Sequence, residues 1–162
     1  MLIGLVSDTH IPDHARELPE QLAETFKGVD MILHGGDIYA VSVLNDLEKI
    51  APVLAAQGDD ETSFTAGDSR VKPKHVLRID GVTVWLMHEK PKTIDRPVVE
   101  TDDLPDVVVS GHTHQALIEN RDGILYVNPG SPTFPEYKLR PGTVGLLTIE
   151  AGKFNAEIIQ LK

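Results

Sequence analysis

The chain has no cysteine. Disulfide scaffolds, thiolate zinc sites and thiol nucleophiles are therefore excluded, and any metal must be held by oxygen and nitrogen ligands. Basic residues are also scarce. Lys and Arg number 15 against 25 Asp and Glu, for a formal net charge of −10. A nucleic-acid backbone binder wants a basic face, so general nucleic-acid binding is not expected. No apolar run approaches a membrane span in length, and no membrane association is expected. The opening stretch, Met1-Leu2-Ile3-Gly4-Leu5-Val6-Ser7-Asp8, lacks a basic region and meets a charge after a few apolar residues. It reads as a strand and not as a signal peptide, which makes a cytoplasmic location the default expectation. The 162 residues suffice for one domain with a real core, spanning 1–162.

What is present is a repeated local pattern: a short apolar run ending in an acid or a histidine. Leu2 to Val6 ends in Ser7-Asp8-Thr9-His10, and Asp30 to Leu33 runs into His34-Gly35-Gly36-Asp37. Pro52 to Ala56 ends at Gln57-Gly58-Asp59-Asp60-Glu61, and Val82 to Met87 ends at His88. Asp106-Val107-Val108-Val109-Ser110 leads into Gly111-His112-Thr113-His114. Helical spacing falls between the first three runs, at Leu18 to Phe26 and Val41 to Ile50, where Val41, Leu44 and Leu47 are expected to face inward. Alternation of strand and helix implies right-handed βαβ units and a parallel sheet. In such sheets, sites gather at the C-terminal strand ends.

The remaining segments read differently. Thr62 to Lys74 is polar and is expected to be a loop. Asp80-Gly81, Asp122-Gly123 and Ala151-Gly152 separate apolar runs and read as hairpin turns. The corresponding strands are His75 to Ile79 with Val82 to Met87, Ala116 to Glu119 with Ile124 to Val127, and Val144 to Ile149 with Phe154 to Leu161. Glu89 to Pro105 carries Pro91, Pro97 and Pro105 and is expected to be a loop with at most a short helix. The last third is expected to be antiparallel. His14 and His75 are expected at the surface, and Trp85 in the core or at an interface.

The strand-end groups are Asp8, His10, Asp37, Asp59, His88, His112 and His114. One metal needs only three or four protein ligands, so seven are enough for two metals sharing a carboxylate. In His112-x-His114, extended backbone would let both rings aim at one point. A mixed N/O donor set suits two divalent transition-metal ions, Mn first, with Fe, Ni, Co or Zn as alternatives. Two metals about 3.5–4 Å apart can hold a phosphoryl oxygen and activate water, as in phosphatases and nucleases.

Asp8-Thr9-His10, Gly36-Asp37, Gly58-Asp59, His88 and Gly111-His112-Thr113-His114 resemble, in order, the five signature blocks of calcineurin-like metallophosphoesterases. The short chain and the turn Asn128-Pro129-Gly130-Ser131 look like the small prokaryotic phosphodiesterase branch. The resemblance implies an α/β, or α+β, four-layer αββα sandwich with two central mixed sheets and the metal site at C-terminal strand ends. It implies one metal on Asp8, His10, Asp37 and His114, and a second on Asp37, Asp59, His88 and His112, with Asp37 bridging. It further implies phosphoester hydrolysis by in-line attack of a metal-bridging hydroxide, with a small phosphoester as partner. Asp37 and Asp59 are the residues expected to bear on catalysis. His34, Asp60, Asn128 and Ser131 are expected beside the ligands or the substrate. Homo-oligomerisation is compatible with all of this.

The chain departs from the family pattern at two places. Asp59 stands where the third block usually has Asn, with Asp60 where some members carry a histidine acting as general acid. Glu89 stands where Gly usually follows the histidine of the fourth block. These departures define the alternative reading: a metal-binding scaffold of the same fold with weak or lost catalysis, acting through protein partners.

Overall fold

A computed structural model describes residues 1–94 and 104–162. In chain order the elements are β1 (Leu2–Val6), α1 (Glu20–Thr25), β2 (Met31–His34), α2 (Val41–Glu48), β3 (Val53–Ala56), α3 (Ser63–Ala66) and β4 (Val71–Lys72). They continue with β5 (Lys74–Ile79), β6 (Val82–Met87), β7 (Val107–Val109), β8 (Ala116–Arg121), β9 (Ile124–Pro129), a 3-10 turn (Pro135–Tyr137), β10 (Thr143–Glu150) and β11 (Lys153–Gln160). Of the expected loop from Glu89 to Pro105, residues 95–103 lie outside the described residues.

Two mixed sheets result. The first has the order β11-β10-β1-β2-β3-β4 and the second β5-β6-β7-β9-β8. Each has a parallel centre: β1, β2, β3 and β4 in the first, and β6, β7 and β9 in the second. Antiparallel neighbours flank these centres: β10 and then β11 beside β1, β5 beside β6, and β8 beside β9. The sheets pack face to face through Ile3, Leu5, Leu33, Leu147 and Ile149 of one and Val82, Val84, Leu86, Val107, Val109, Leu125 and Val127 of the other. On its outer face the first sheet carries α1 and α2, whose Leu22, Leu44 and Leu47, with Phe26 just past α1, pack with Val6, Ile32, Val53 and Val144. The central strands β1, β2, β3, β7 and β9 are therefore buried along nearly their whole length, which is why they read as apolar runs, whereas β6 alternates buried and half-buried positions. Among the described residues, no helix is long and apolar enough to cross a membrane.

The three hairpin turns form where expected. Asp80 and Gly81, Asp122 and Gly123, and Ala151 and Gly152 all have positive φ, as a type I′ turn requires. Four expectations are corrected. The segment Thr62 to Lys74 is not a plain loop. Thr62 caps α3 by accepting the amide of Thr65, and Val71 pairs beside Ala55 as β4. His75 is buried, because its Nε2 reaches the carbonyl oxygens of Ala55 and Arg70 and ties β5 to the first sheet. The last third is antiparallel in its hairpins and in the pairing of β10 with β1, but not throughout: β9 runs parallel to β7. In α2, Val43 is buried while Val41 is only half-buried, so the inward face is turned by part of a residue step.

Candidate metal centre

The C-terminal ends of β1, β2 and β3 meet those of β6, β7 and β9 at one rim of the sandwich. Parallel alignment within each sheet is what makes all six ends coincide. Beyond the strands the chain turns sharply, and several of the turning residues are not glycine. Asp8, His10, Asp37, His112 and His114 have φ values of 52°, 45°, 55°, 72° and 57°. Such left-handed conformations cost of order 1–3 kcal/mol each for non-glycine residues and concentrate at functional sites. Glycine is needed where chains approach too closely for a side chain. A Cβ on Gly58 would fall on Oδ1 and the amide of Asp37, and one on Gly111 would fall on Oγ of Ser7.

All seven strand-end residues come together, in two groups. Asp8, His10, Asp37 and His114 form one, fully buried, and Asp59, His88 and His112 form the other; within each, the potential ligand atoms lie within 4.8 Å of one another. Asp37 joins them. Its Oδ2 is 3.4 Å from Nε2 of His10 and 3.5 Å from Nε2 of His88. Its Oδ1 accepts the amide N–H of Asp59 at 2.8 Å. Asp59 Oδ2 sits 2.8 Å from Nδ1 of His112 and 3.3 Å from Nε2 of His88. The two histidines of the His-x-His do not aim at one point. Their positive φ values break the extended geometry, and His112 joins one group while His114 joins the other.

The donor chemistry fits cations. Nδ1–H of His88 donates to the carbonyl oxygen of Gly35 at 2.7 Å, and Nδ1–H of His114 donates to that of Phe134 at 2.8 Å. Each ring therefore presents the lone pair of Nε2 to the site, the tautomer that metal ligation requires. Nε2 of His88 is buried and has no hydrogen-bond partner among the described residues. His10 Nε2 faces His114 Nε2 at 3.1 Å, two imidazole nitrogens among carboxylates. Burial raises the Asp8 carboxyl to about 6, against the opposing pull of His114 and of the Ser7 hydroxyl. Burial likewise lowers His10 to about 4, despite the attraction of Asp37. A buried carboxyl held this way needs positive charge nearby to stay ionised, and His10 is kept as the neutral imidazole that ligates metal.

The other expected residues fall around this centre. His34 belongs to neither group. It is fully buried, its Nδ1 accepts the amide of Gly36 at 3.1 Å, and its Nε2 lies 3.1 Å from Oγ1 of Thr9, so it links the loops after β1 and β2. Burial, with the neighbouring His88 and His10, lowers it to about 3. Asn128 donates from Nδ2 to the carbonyl of Gly111 at 2.7 Å and to Thr113 Oγ1 at 3.1 Å, holding the His-x-His turn. Ser131 donates to the carbonyl of Asp8 at 2.7 Å. Asp60 stands outside both groups, exposed, beside a shallow cavity with Pro12, Asp13, Tyr39 and Thr62.

Sequence reasoning missed several supports. The Glu61 carboxylate accepts the amides of Ile38, Tyr39 and Gly58 at 2.8, 3.0 and 3.3 Å, fastening the loop after Asp37 to the loop before Asp59. Its position at the end of an acidic run was the available signal. Thr133 donates to the carbonyl of Thr9 at 2.7 Å. Tyr39, Phe134 and Tyr137 pack on the ligand histidines, and nothing in the local sequence announces them.

The rim of paired carboxylates and imidazoles on a two-sheet sandwich defines a class, and the comparisons agree with it. Residues 1–152 match the calcineurin-like phosphoesterase superfamily domain, and the chain belongs to that family. It is 38% identical to a probable metallophosphoesterase of Methanothermobacter thermautotrophicus, over 99% of this chain and 92% of that protein. It is 26% identical to a phosphodiesterase of Methanocaldococcus jannaschii, over 99% of this chain and all of that one. Among solved structures, an archaeal phosphodiesterase superposes with a TM-score of 0.74 at 25% identity, over 98% of this chain and 100% of the other. Vps29 of Entamoeba histolytica in complex with Zn²⁺ superposes with a TM-score of 0.72 at 20% identity, over 99% of each chain, a likeness of fold. Family and donor clusters together indicate a hydrolase site for divalent metal ions.

Proposed function

We propose that residues 1–162 act as one metal-dependent phosphodiesterase domain with a binuclear centre. The observation that carries this reading is Asp37, whose one carboxylate faces both ligand groups. Asp8, His10, Asp37 and His114 would hold one divalent ion, and Asp37, Asp59, His88 and His112 the other. Two such ions supply Lewis acidity toward a phosphoryl oxygen and lower the pKa of bound water to the neutral range. The protein's own part is preorganisation. Gly35 and Phe134 fix the His88 and His114 tautomers, Ser131 and Thr133 pin the backbone of the Asp8 loop, and Asn128 pins the His112 loop. Manganese is the first metal to test, because the donors are mixed nitrogen and oxygen.

The preference for diesters follows from charge. Three carboxylates against two dications leave a net single positive charge over neutral imidazoles. A diester brings one negative charge, whereas a monoester brings nearly two at pH 7. Asp59 supplies the third carboxylate, and Asp60 stands exposed beyond it. With Mn²⁺, bis(p-nitrophenyl) phosphate should be hydrolysed with a higher kcat/KM than p-nitrophenyl phosphate. A clear monoester preference would refute the electrostatic argument.

A second reading has its own support. The Asp59 side chain is 55% exposed, at a position where added negative charge opposes an anionic substrate. The chain also shares its fold with Vps29, a protein named for vacuolar sorting. On that reading this protein is a metal-loaded scaffold for protein partners. Absence of diester turnover by the fully metal-loaded protein would favour it.

A further inference from the structure

The chain is poor in aromatic residues, with four Phe, three Tyr and one Trp. Tyr39, Phe134 and Tyr137 nevertheless all stand at the first ligand group. Tyr39 meets the His10 ring edge-on, with centroids 4.6 Å apart. His14 tilts against His10 at 5.3 Å and stacks on Phe134 at 3.9 Å and 15°. Tyr137 stacks on His114 at 4.4 Å and 25°, and meets Phe134 edge-on at 6.0 Å. The rings form one continuous wall beside Asp8, His10, Asp37 and His114. Asp59, exposed, belongs to the second ligand group, and Asp60, also exposed, lies at the Tyr39 end of the wall with Pro12, Asp13 and Thr62.

The wall is accessible and held at a cost. Tyr137 is 59% exposed, and His14 is exposed too. Glu136 and Tyr137 are consecutive non-glycine residues with φ of 50° and 59°. Two left-handed residues in a row, one of them bulky, are strained, and such strain gathers at ligand-contacting sites. The Tyr137 hydroxyl reaches the carbonyl of His112 at 3.3 Å, so the ring stays fixed although it faces solvent. A fixed, exposed ring at the edge of a polar site is a stacking platform.

We propose that this wall is a subsite for a planar aromatic group on the ester of the substrate, a nucleobase or an aryl ring, with Tyr137 as its main stacking surface. The assignment rests on the phosphodiesterase reading for its chemistry. It fixes the direction in which the substrate lies: ring toward Tyr137. Tyr137 thereby becomes a specificity residue.

The test is direct binding to the Mn²⁺-loaded protein by calorimetry, using AMP, phenyl phosphate and ribose 5-phosphate. The two ring-bearing phosphates should bind about tenfold more tightly than ribose 5-phosphate, the scale of one aromatic stack. An advantage for AMP alone would identify the group as a nucleobase, and an equal advantage for phenyl phosphate as any aryl ring. Tyr137→Ala should lower AMP and phenyl phosphate affinity by more than it lowers ribose 5-phosphate affinity, and Tyr137→Phe, which keeps the ring, should retain most of the advantage. Equal binding of all three ligands by the unmodified protein would overturn the proposal. So would an equal loss for all three in Tyr137→Ala accompanied by weaker Mn²⁺ retention, because Tyr137 would then only prop His114. Diester turnover is scored separately. A ring preference without turnover removes the hydrolase reading and leaves the subsite, whereas turnover without a ring preference does the reverse.

Discussion

Replacing Asp59 by Asn restores the residue that the family pattern usually has there and separates two effects of the carboxylate. Asp59 Oδ2 lies 2.8 Å from His112 Nδ1 and 3.3 Å from His88 Nε2, so the side chain belongs to the second ligand group. Its amide donates to Asp37 Oδ1 whichever side chain is present, so the backbone should not move. The substitution removes one negative charge from that group and adds an N–H₂ donor. Less charge should weaken retention of the second ion. The donor and the greater electrophilicity should favour the charge developing on phosphate oxygen. A well-shielded donor of this kind contributes roughly 2.7–4 kcal/mol. At a side chain 55% exposed, solvent screening reduces that, and about 1.4 kcal/mol is a reasonable remainder. This corresponds to about a tenfold gain in kcat. The assay is diester turnover as a function of Mn²⁺ concentration, with occupancy measured by elemental analysis. A fall in kcat at unchanged occupancy would refute the reasoning and make Asp59 a group that works in the reaction itself.

Three further outcomes are expected. Ser131→Ala removes a buried donor to the Asp8 carbonyl and an acceptor for the amides of Thr133 and Phe134. It should cost about 1–3 kcal/mol in denaturant unfolding, with reduced diester turnover, and a variant as stable and active as the parent would show that the Asp8 loop needs no such anchor. His34, neutral in the fold down to about pH 3 but protonated below about 6.5 when unfolded, makes the protein lose stability as pH falls from 6.5 toward 3. His34→Gln should flatten that acid limb in metal-free protein, and an unchanged limb would remove His34 as its source. Gly58→Ala places a methyl group on the Asp37 carboxylate and amide, and should weaken binding of both ions together; loss of one ion alone would mean the loop yields without moving Asp37.

The candidate site was legible because its donors cluster just past the ends of apolar strands. Apolar strands packed in the core leave their polar residues at the ends, so Asp8, Asp37, Asp59, His88 and His112 announce themselves by where the apolar run stops. The hairpins at Asp80-Gly81 and Asp122-Gly123 were legible through residues that tolerate positive φ. What stayed hidden depends on distant partners. The pairing of β10 with β1 joins residues more than a hundred positions apart, and nothing local to either strand encodes it. His75 looks like a surface histidine until the carbonyls of Ala55 and Arg70 arrive from the other sheet. The parallel direction of β9 is set by β7 and not by its own hairpin. His112 and His114 part ways because of left-handed backbone that no period-two argument anticipates. Tyr137 reaches His114 from a strained loop with no sequence signature.

The central claim is that Asp37 joins two metal sites in one centre. Its most direct test is the Mn²⁺ stoichiometry of the chelator-stripped and reloaded protein, measured by calorimetry with elemental analysis, for the parent, His88→Ala and Asp37→Asn. The account predicts two ions per chain in the parent, one in His88→Ala, and weakened binding of both in Asp37→Asn. Melting temperature should rise with each ion bound, since metal that binds only the native state stabilises it by linkage. One ion or none in the parent, or two ions retained by Asp37→Asn at unchanged affinity, would contradict it.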